Sequence, residues 1–312
     1  MAKYIAGRIV QSVVVLFLIA SLTFFLMNLV PGSPFLSEKS PSPETLAALN
    51  AKYGLDQPTI VQLEKYLANA VQGDFGVSIK MQKNRPVLDI IVEMFPTSAK
   101  IGVIALILAI LGGIPMGCIA AYNRGNKIDS TLRVVTTLGI SVPSFVVATV
   151  LLIILGVYLK LLPTVGLQGW TSYIMPCFAL AFYPMCYIGR LSRSSMLDVI
   201  NQDYIRTAKA KGVKPIKLIF KHSLRNAFIP VLTYLGPLTA GILTGGFVVE
   251  TVFNIPGLGR YFVQSVLNRD YPIIMATTIF LASLVILMNL VVDILYKFVD
   301  PRIDITRGGK DR

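Results

Sequence analysis

Residues 203–236, DYIRTAKAKGVKPIKLIFKHSLRNAFIPVLTYLG, form the one long, strongly basic interruption between the apolar runs of the chain. Asp203 suits the first turn of a helix, because a carboxylate is stabilised by the free amides there. Gly212 suits the position just past the end of that helix, since glycine adopts a left-handed backbone at little cost. Pro215 then starts a second helix. The stretch therefore predicts two short helices joined at an angle.

The second of these helices has two different faces. Apolar residues recur at helical spacing along one face, at Ile216, Ile219, Phe220, Leu224 and Phe228. Basic residues follow the opposite face, at Lys214, Lys217, Lys221 and Arg225. A helix of this kind buries its apolar stripe and turns its charges to water, lipid head groups or a partner. We expect it to lie along the membrane surface and to lead into the apolar run that begins near Pro230.

The composition around this stretch is that of an integral membrane protein. Hydrophobic residues make up 54% of the 312 residues and charged residues only 14%, against about 25% charged in ordinary soluble chains. The net charge of +13 would suggest a nucleic-acid partner in a soluble protein. Here it has a simpler explanation, because Lys and Arg are enriched in the cytoplasmic loops of membrane proteins. The chain has one histidine and three cysteines without CxxC spacing, which argues against a zinc site or a disulfide framework.

Six apolar runs are long enough to cross a bilayer, which takes roughly 20 residues of helix. The first is uncharged over residues 9–37 and exceeds the apolar core of a secretory signal peptide, so we expect an uncleaved spanning helix. The other five spans are predicted at residues 101–122, 134–159, 172–189, 227–249 and 273–296.

A polar, proline-rich segment separates the first two spans and predicts a small insert outside the membrane. Amphipathic patterns near residues 46–53 and 60–71 predict two short helices in it, and GDFG at residues 73–76 predicts a turn. The expected domains are an N-terminal helix (1–31), the insert (32–96), a core of five spanning helices (97–300) and a tail (301–312).

Lys and Arg are unevenly divided between the two sets of loops. Both ends of the chain, the loop after residue 122 and the stretch after residue 190 are rich in them, whereas the opposite short loops contain only Lys160, Arg260 and Arg269. Since basic loops stay in the cytoplasm, we expect both termini and the stretch from 203 to 236 to be cytoplasmic. The insert is then extracytoplasmic, because a long loop crosses the membrane regardless of its charge.

Eight motifs, in order along the chain, resemble those of the B-type permeases of oligopeptide and dipeptide importers, a branch of the ATP-binding-cassette (ABC) importer permeases. They are VPGSPF (30–35), GDFG (73–76), SVPSFVVA (141–148), RTAKAKG (206–212), HSLRNAFIPVLTYLGP (222–237), VVETVFNIPGLG (248–259), LNRDYP (267–272) and DPR (300–302). Ala208, Gly212 and Pro230 resemble the fixed positions of the cytoplasmic EAA loop of such permeases. Arg206 and Thr207 depart from the Glu-Ala of the general pattern and in this resemble the peptide branch.

The resemblance implies an all-α integral membrane fold of six transmembrane helices, the type I ABC importer permease, with a small extracytoplasmic insert between helices 1 and 2. It also implies a multi-pass permease subunit in the cell membrane of a prokaryote. The implied partners are a second, C-type permease, two ABC ATPase subunits, an extracytoplasmic substrate-binding protein, membrane lipid and the peptide substrate. Separate ATPases are required because the chain lacks the GxxxxGK[ST] loop that cradles phosphates. No catalytic residue, metal or cofactor is expected.

We expect the EAA loop, residues 190–228, to dock on the ATPase through a coupling helix at residues 203–211. Small alanines permit close approach, an aromatic residue can anchor the contact and basic side chains can pair with acids. The residues predicted to couple to the ATPase are Tyr204, Arg206, Thr207, Ala208, Lys209, Ala210, Lys211 and Gly212. The alternative is that these cations only hold the loop inside or contact anionic lipid.

Other residues are candidates for the substrate path and its outer end. Since a weakly polar path suits peptides with varied side chains, the candidate path hydroxyls are Thr233, Thr239 and Thr244. The turn after the fifth span is implied by the resemblance to face the binding protein through Glu250, Asn254, Pro256, Gly257 and Gly259. The alternative for Glu250 is that it only marks the membrane interface. Gly113 and Gly117 have the spacing of closely packed helices, for which we favour packing within the chain.

Several functions stay open at this stage. The B-type permeases of nickel, glutathione and antimicrobial-peptide importers also resemble this chain, so the substrate is not fixed. An ion-coupled carrier acting alone is disfavoured by the scarcity of charged residues within the spans. A membrane enzyme is disfavoured because the chain has neither GxSxG nor HExxH.

Overall fold

The computed structural model describes residues 2–29, 56–214, 217–218, 223–243 and 246–299. In these residues the β-pairing is confined to an isolated bridge between Val77 and Pro86. The helices are α1 (Ala2–Leu29), α2 (Thr59–Val71), α3 (Val87–Tyr122), α4 (Lys127–Ser141), α5 (Ser144–Leu151), α6 (Ile174–Ile200), α7 (Asp203–Ala210), α8 (Leu224–Ala227), α9 (Ile229–Leu243), α10 (Phe247–Val252), α11 (Leu258–Asn268) and α12 (Tyr271–Val299). A π-helix, Leu152–Tyr158, continues α5, and a 3₁₀ turn, Trp170–Tyr173, precedes α6.

Among the described residues, five helical segments are long and apolar enough to cross a membrane. They are Gly7–Leu29, Val87–Tyr122, Trp170–Ile200, Ile229–Val252 and Tyr271–Val291. The bent pair of α4 and the segment Ser144–Tyr158 passes the same test and makes the sixth. The predicted all-α fold with six spans is therefore confirmed. The helices are longer than the apolar runs alone predicted, since α3 begins at Val87 and α6 continues to Ile200.

The third predicted span, residues 134–159, falls on two helices that are bent by 101° relative to each other. Pro143 causes the break. It has no amide proton to donate, and its ring keeps the preceding residue out of the helical region. Val142 is accordingly extended, with φ −92° and ψ 121°. The chain then resumes as α5 directly after Pro143.

One compact unit contains residues 1–97 and 257–286. Its core joins Ile90 of α3 to Leu258 of α11 and Ile273 of α12. A neighbouring cluster joins α1 and α12 to Leu63, the buried residue of α2. The predicted helix at residues 60–71 is confirmed as α2, while the one predicted near residues 46–53 lies outside the described residues, as does the tail 301–312.

The second compact unit contains residues 98–256 and 287–312. Its central helix is α6, which packs against α4, α5, α8, α9 and α10. α3 also contacts α6 closely. A side chain at Gly113 would meet the Met185 carbonyl oxygen at 2.6 Å, and one at Gly117 would collide with the Gly189 carbonyl and Ser192. The predicted role of Gly113 and Gly117 in packing within the chain is thus confirmed.

Candidate functional site

The helix predicted at residues 203–211 is present as α7, with Asp203 in its first turn. Gly212 follows the helix with a left-handed φ of +76°. The Gly212 amide donates to the Lys209 carbonyl at 3.0 Å, and the Val213 amide donates to the Ala208 carbonyl at 3.2 Å. These two bonds form a Schellman motif, which satisfies the last free carbonyls of a helix. The predicted helix start at Asp203 and the glycine cap at Gly212 are therefore confirmed.

One buried side chain attaches α7 to the rest of the unit. Ile205 is 2% exposed, and α7 contacts α6. Ala208 is half-buried, whereas the remaining predicted coupling residues are exposed, namely Tyr204, Arg206, Thr207, Lys209, Ala210, Lys211 and Gly212. Arg206 lies 3.6 Å from Asp203, but both side chains are largely exposed, so their attraction contributes little. The basic face of α7 is consequently accessible to an acidic partner.

Tyr204 also connects α7 to the start of the next span. Its hydroxyl accepts a hydrogen bond of 2.8 Å from the side-chain amide of Asn226 in α8. α8 is in turn packed into the bundle, because Ala227 belongs to a buried cluster with Met196 of α6 and Cys118 of α3. α7 is therefore tied by side chains to the helix that follows it as well as by the backbone to the helix that precedes it.

A buried ion pair lies in the same unit as α7. Arg193 of α6 donates to the two carboxylate oxygens of Asp129 in α4, from Nε at 2.6 Å and from Nη2 at 2.9 Å. The Gly125 amide donates to the same carboxylate at 3.0 Å. The Asp129 side chain is 1% exposed and the Arg193 side chain 21%. Such bidentate, charge-assisted bonds fix geometry as well as charge, so this pair fastens α6 to α4.

The second half of the basic stretch lies mostly outside the described residues, which omit positions 215, 216 and 219–222. Of its described members, Lys217 is exposed and Leu218 is buried. The Ser223 hydroxyl donates to the Leu218 carbonyl at 3.1 Å. The amphipathic helix expected there stays a prediction.

The candidate path hydroxyls occur on α9. Thr233 is exposed and Thr239 is half-buried. Each hydroxyl donates to the carbonyl four residues earlier, Thr233 to Ile229 at 3.1 Å and Thr239 to Leu235 at 2.6 Å. Their oxygens retain acceptor capacity, since a hydroxyl has one proton but two lone pairs. Thr244 lies outside the described residues.

The residues expected to face a binding protein differ in how exposed their side chains are. Glu250 lies in α10 rather than in a loop, is 2% exposed and accepts a 2.7 Å hydrogen bond from Ser98. That burial corrects its placement on an exposed turn, because a side chain enclosed in this way has no surface to offer. Asn254 and Pro256 are exposed. The two glycines of the segment, Gly257 and Gly259, are buried.

A second buried aspartate, Asp270, organises the unit that contains the insert. It follows α11, which ends at Asn268 and is capped by Arg269 in a left-handed conformation. Its oxygens accept from the Ser78 hydroxyl at 2.6 Å and from the amides of Ile79, Lys80 and Met81 at 3.2, 2.9 and 2.9 Å. This arrangement fastens the segment after the GDFG turn to the connection between α11 and α12.

Sequence reasoning found neither of the two aspartate sites. Asp129 and Arg193 are 64 positions apart, and Ser78 and Asp270 are 192 apart. A weak signal existed for Asp270, because it falls inside the LNRDYP motif. For Asp129, the only hint was an acid at the start of a helix, which is common for reasons unrelated to function.

In the described part of the chain, five to six apolar helices long enough to cross a membrane, with a short, capped, basic helix between two of them, define a class of protein, a multi-span membrane component. Residues 113–305 match the family described as binding-protein-dependent transport system inner membrane component. Residues 1–102 match the N-terminal family of the same membrane component. The chain belongs to the family of inner-membrane components of binding-protein-dependent transport systems.

Relatives are similar over nearly the whole length. The dipeptide transport system permease protein DppB of Bacillus subtilis (strain 168) is 45% identical, over 99% of this chain and 100% of its own. The oligopeptide transport system permease protein OppB of Haemophilus influenzae is 44% identical, over 97% and 99% respectively. The inward-facing MetNI methionine ABC transporter shares the fold, with 18% identity and a TM-score of 0.58 over 68% of this chain and 97% of the matched chain. The chain is thus a multi-pass inner-membrane transport component and not an enzyme.

Proposed function

We propose that this chain is one of two permease subunits of an ATP-driven ABC importer for peptides. The observation that carries the proposal is α7, a short helix with one buried side chain, a closed C-terminus and an exposed basic face. A helix with these features can be displaced by a partner subunit without unwinding. The peptide substrate is supported by the dipeptide and oligopeptide permeases among the relatives.

In this proposal the termini and the loop at residues 190–228 are cytoplasmic and the insert is extracytoplasmic. The unequal distribution of Lys and Arg supports this orientation. α7 then faces a cytoplasmic ATPase, and Arg206, Lys209 and Lys211 pair with acids on its surface. A C-type permease, two ABC ATPases and a substrate-binding protein complete the importer.

Movement of the ATPase reaches the spans by two routes. α7 follows α6 after two residues, so displacement of α7 acts on the end of α6. The hydrogen bond between Tyr204 and Asn226 carries the same displacement to α8 and α9. The ion pair of Asp129 with Arg193 makes α4 move with α6. This pair is a positioning element for transport, since it contacts neither ATP nor substrate.

The substrate path is assigned to the helix α9, through Thr233 and Thr239, together with Thr244. The exposure of Thr233 in the single chain supports this assignment, because a path-lining residue stays accessible until the second permease binds. Asn254 and Pro256 are the exposed residues proposed to face the binding protein. Glu250 instead holds Ser98 inside the bundle.

The decisive experiment is peptide uptake and ATP hydrolysis in liposomes containing the four membrane-bound subunits and the binding protein. Replacement of Gly212 by valine forces a β-branched residue into the left-handed conformation, which costs roughly 1–2 kcal/mol. That strain opens the cap of α7. We expect the Gly212→Val importer to lose most peptide uptake, because movement of the ATPase would no longer reach the spanning helices. Hydrolysis without peptide should persist.

Gly73→Val is the matched control. Gly73 has a similarly left-handed φ of +83°, no atom lies within 4 Å of the added Cβ position, and the residue is in the insert. This variant carries the same backbone strain and should retain uptake. Normal uptake by Gly212→Val would refute the coupling role of α7. Uptake driven by an ion gradient in liposomes without ATPases would refute the ABC assignment and favour a carrier.

A further inference from the structure

A groove of about 730 Å³ lies between α3, α6 and the 3₁₀ turn before α6. Its walls are lined by Ile104 and Leu108 of α3 and by Ile174 and Phe178 of α6. Each pair is four residues apart and so lies on one helical face. From Lys100 to Leu108 the α3 wall is about 12 Å long at 1.5 Å per residue. The groove is an apolar track that runs along two helices.

One end of this track is polar and cationic. The Lys100 ammonium lies 4.4 Å from the centre of the Tyr173 ring, a cation–π distance. An ammonium has three donors, and the ring engages one side of it. Among the residues that the structure describes, none that lines the groove is acidic. Lys100 is therefore positioned to bind an anion at the mouth of an apolar track.

The surroundings place this mouth at a membrane boundary. Lys100 immediately precedes the uncharged run 101–122. Trp170, which also lines the groove, is 77% exposed. Tryptophan and tyrosine concentrate where the hydrocarbon core meets the polar head groups, and lysine at that depth attracts anionic lipid. Below an anion at Lys100, the apolar track of about 12 Å approaches the depth of one leaflet of the hydrocarbon core, which is about half of 30 Å.

We propose that this groove binds an anionic phospholipid, with its phosphate at Lys100 and an acyl chain along Ile104, Leu108 and Phe178. A soluble anion would use the lysine but not the apolar track. The acyl chain would fill space between α3 and α6, so the lipid would support the packing of α6. The proposal rests on the membrane-spanning fold and is independent of which substrate is transported.

Trp170 makes this site directly measurable, because it is the single tryptophan of the chain. The full chain is reconstituted in phosphatidylcholine liposomes that contain a fixed fraction of lipid with brominated acyl chains. Bromine quenches tryptophan fluorescence on contact. We expect brominated phosphatidylglycerol to quench Trp170 with about fivefold higher apparent affinity than brominated phosphatidylcholine, the preference that one interfacial lysine confers.

Lys100→Gln should reduce this preference to near unity. Lys160→Gln is the matched control, since Lys160 is exposed and does not line the groove, and it should retain the preference. Equal quenching by the two lipids in the wild-type chain, or an unchanged preference in Lys100→Gln, would overturn the proposal. So would weak quenching by both lipids in the importer assembled with tryptophan-free partner subunits, because a protein partner would then cover the groove. None of these measurements needs ATP or peptide.

Discussion

Two buried aspartates in this chain are held by opposite means. Asp129 depends on one guanidinium, that of Arg193, which supplies two of its three hydrogen bonds and the close positive charge. Arg133 lies farther away, at 3.6 Å, and is mostly exposed. Asp270 instead accepts from the Ser78 hydroxyl and three successive backbone amides, without a salt bridge among the described residues. Both carboxylates are almost fully buried.

The difference affects how each site responds to change. A carboxylate held by backbone amides keeps most of its donors whichever side chain is replaced, so it suits a fixed attachment such as that of the insert. A carboxylate held by one arginine joins two helices through side chains only. The two helices can therefore move together, and a single substitution of the arginine is enough to break the connection between them. Of the two sites, the ion pair of Asp129 with Arg193 is the one that lies in the same compact unit as α7.

The largest effect is expected from Arg193→Met, which leaves the buried Asp129 carboxylate without its guanidinium. Breaking a buried pair on one side costs about 3 kcal/mol or more, so the midpoint of thermal unfolding in detergent should fall clearly. Peptide uptake per ATP hydrolysed should also fall, since α6 and α4 no longer move together. Arg193→Lys retains the charge but not the bidentate geometry and should lose less of both.

A second variant separates stability from coupling. Replacing both partners, as Asp129→Leu with Arg193→Met, removes the uncompensated charge and should restore much of the stability, because apolar pairs often substitute well for buried ion pairs. Uptake per ATP should stay low if the pair transmits movement. If uptake recovers fully together with stability, the ion pair of Asp129 with Arg193 serves only to pack α4 against α6.

Local features of this fold were predictable from the sequence because they depend on nearby residues. The spans follow from length and hydropathy, and the end of α7 follows from the one residue type that tolerates the left-handed conformation at Gly212. The bend at Pro143 was missed because the apolar run 134–159 continues through it without a charge. Pro143 was visible in the sequence, but proline in a membrane helix does not by itself distinguish a kink from a complete break.

The distant contacts were not predictable, because Asp129 and Arg193 are residue types that recur along the chain. Arg193 looked like one of several cytoplasmic cations, and nothing nearby in the sequence points to Asp129. Glu250 was misplaced for a related reason. A carboxylate at the end of an apolar run usually marks the membrane boundary, but here Ser98 of α3 provides a donor that allows it to be buried.

The Asp270 site should be the more tolerant of the two to single substitutions. Ser78→Ala removes one of four donors, and the three amides remain, so we expect a loss of about 1 kcal/mol. Thermal unfolding of Ser78→Ala and Arg193→Met, measured side by side in the same detergent, tests the ranking. A loss in Ser78→Ala as large as that in Arg193→Met would show that the hydroxyl, rather than the backbone, holds Asp270.

The smallest effect concerns Tyr66 of α2, in the same unit as Asp270. Its hydroxyl is buried and has no hydrogen-bond partner among the described residues, and burial raises the pKa of Tyr66 above its ordinary value. In the unfolded chain the hydroxyl ionises near pH 10, whereas the folded chain keeps it protonated. The stability that this preference contributes is complete below pH 10 and is lost as the pH rises above it.

Tyr66→Phe should therefore be as stable as the wild type or up to about 1 kcal/mol more stable at neutral pH, and should lose less stability in alkali. Unfolding midpoints of the two proteins from about pH 8 to about pH 11 provide the test, with the other ionisable groups cancelling in the difference. Parallel curves would mean that the Tyr66 hydroxyl is solvated or hydrogen-bonded in the folded protein.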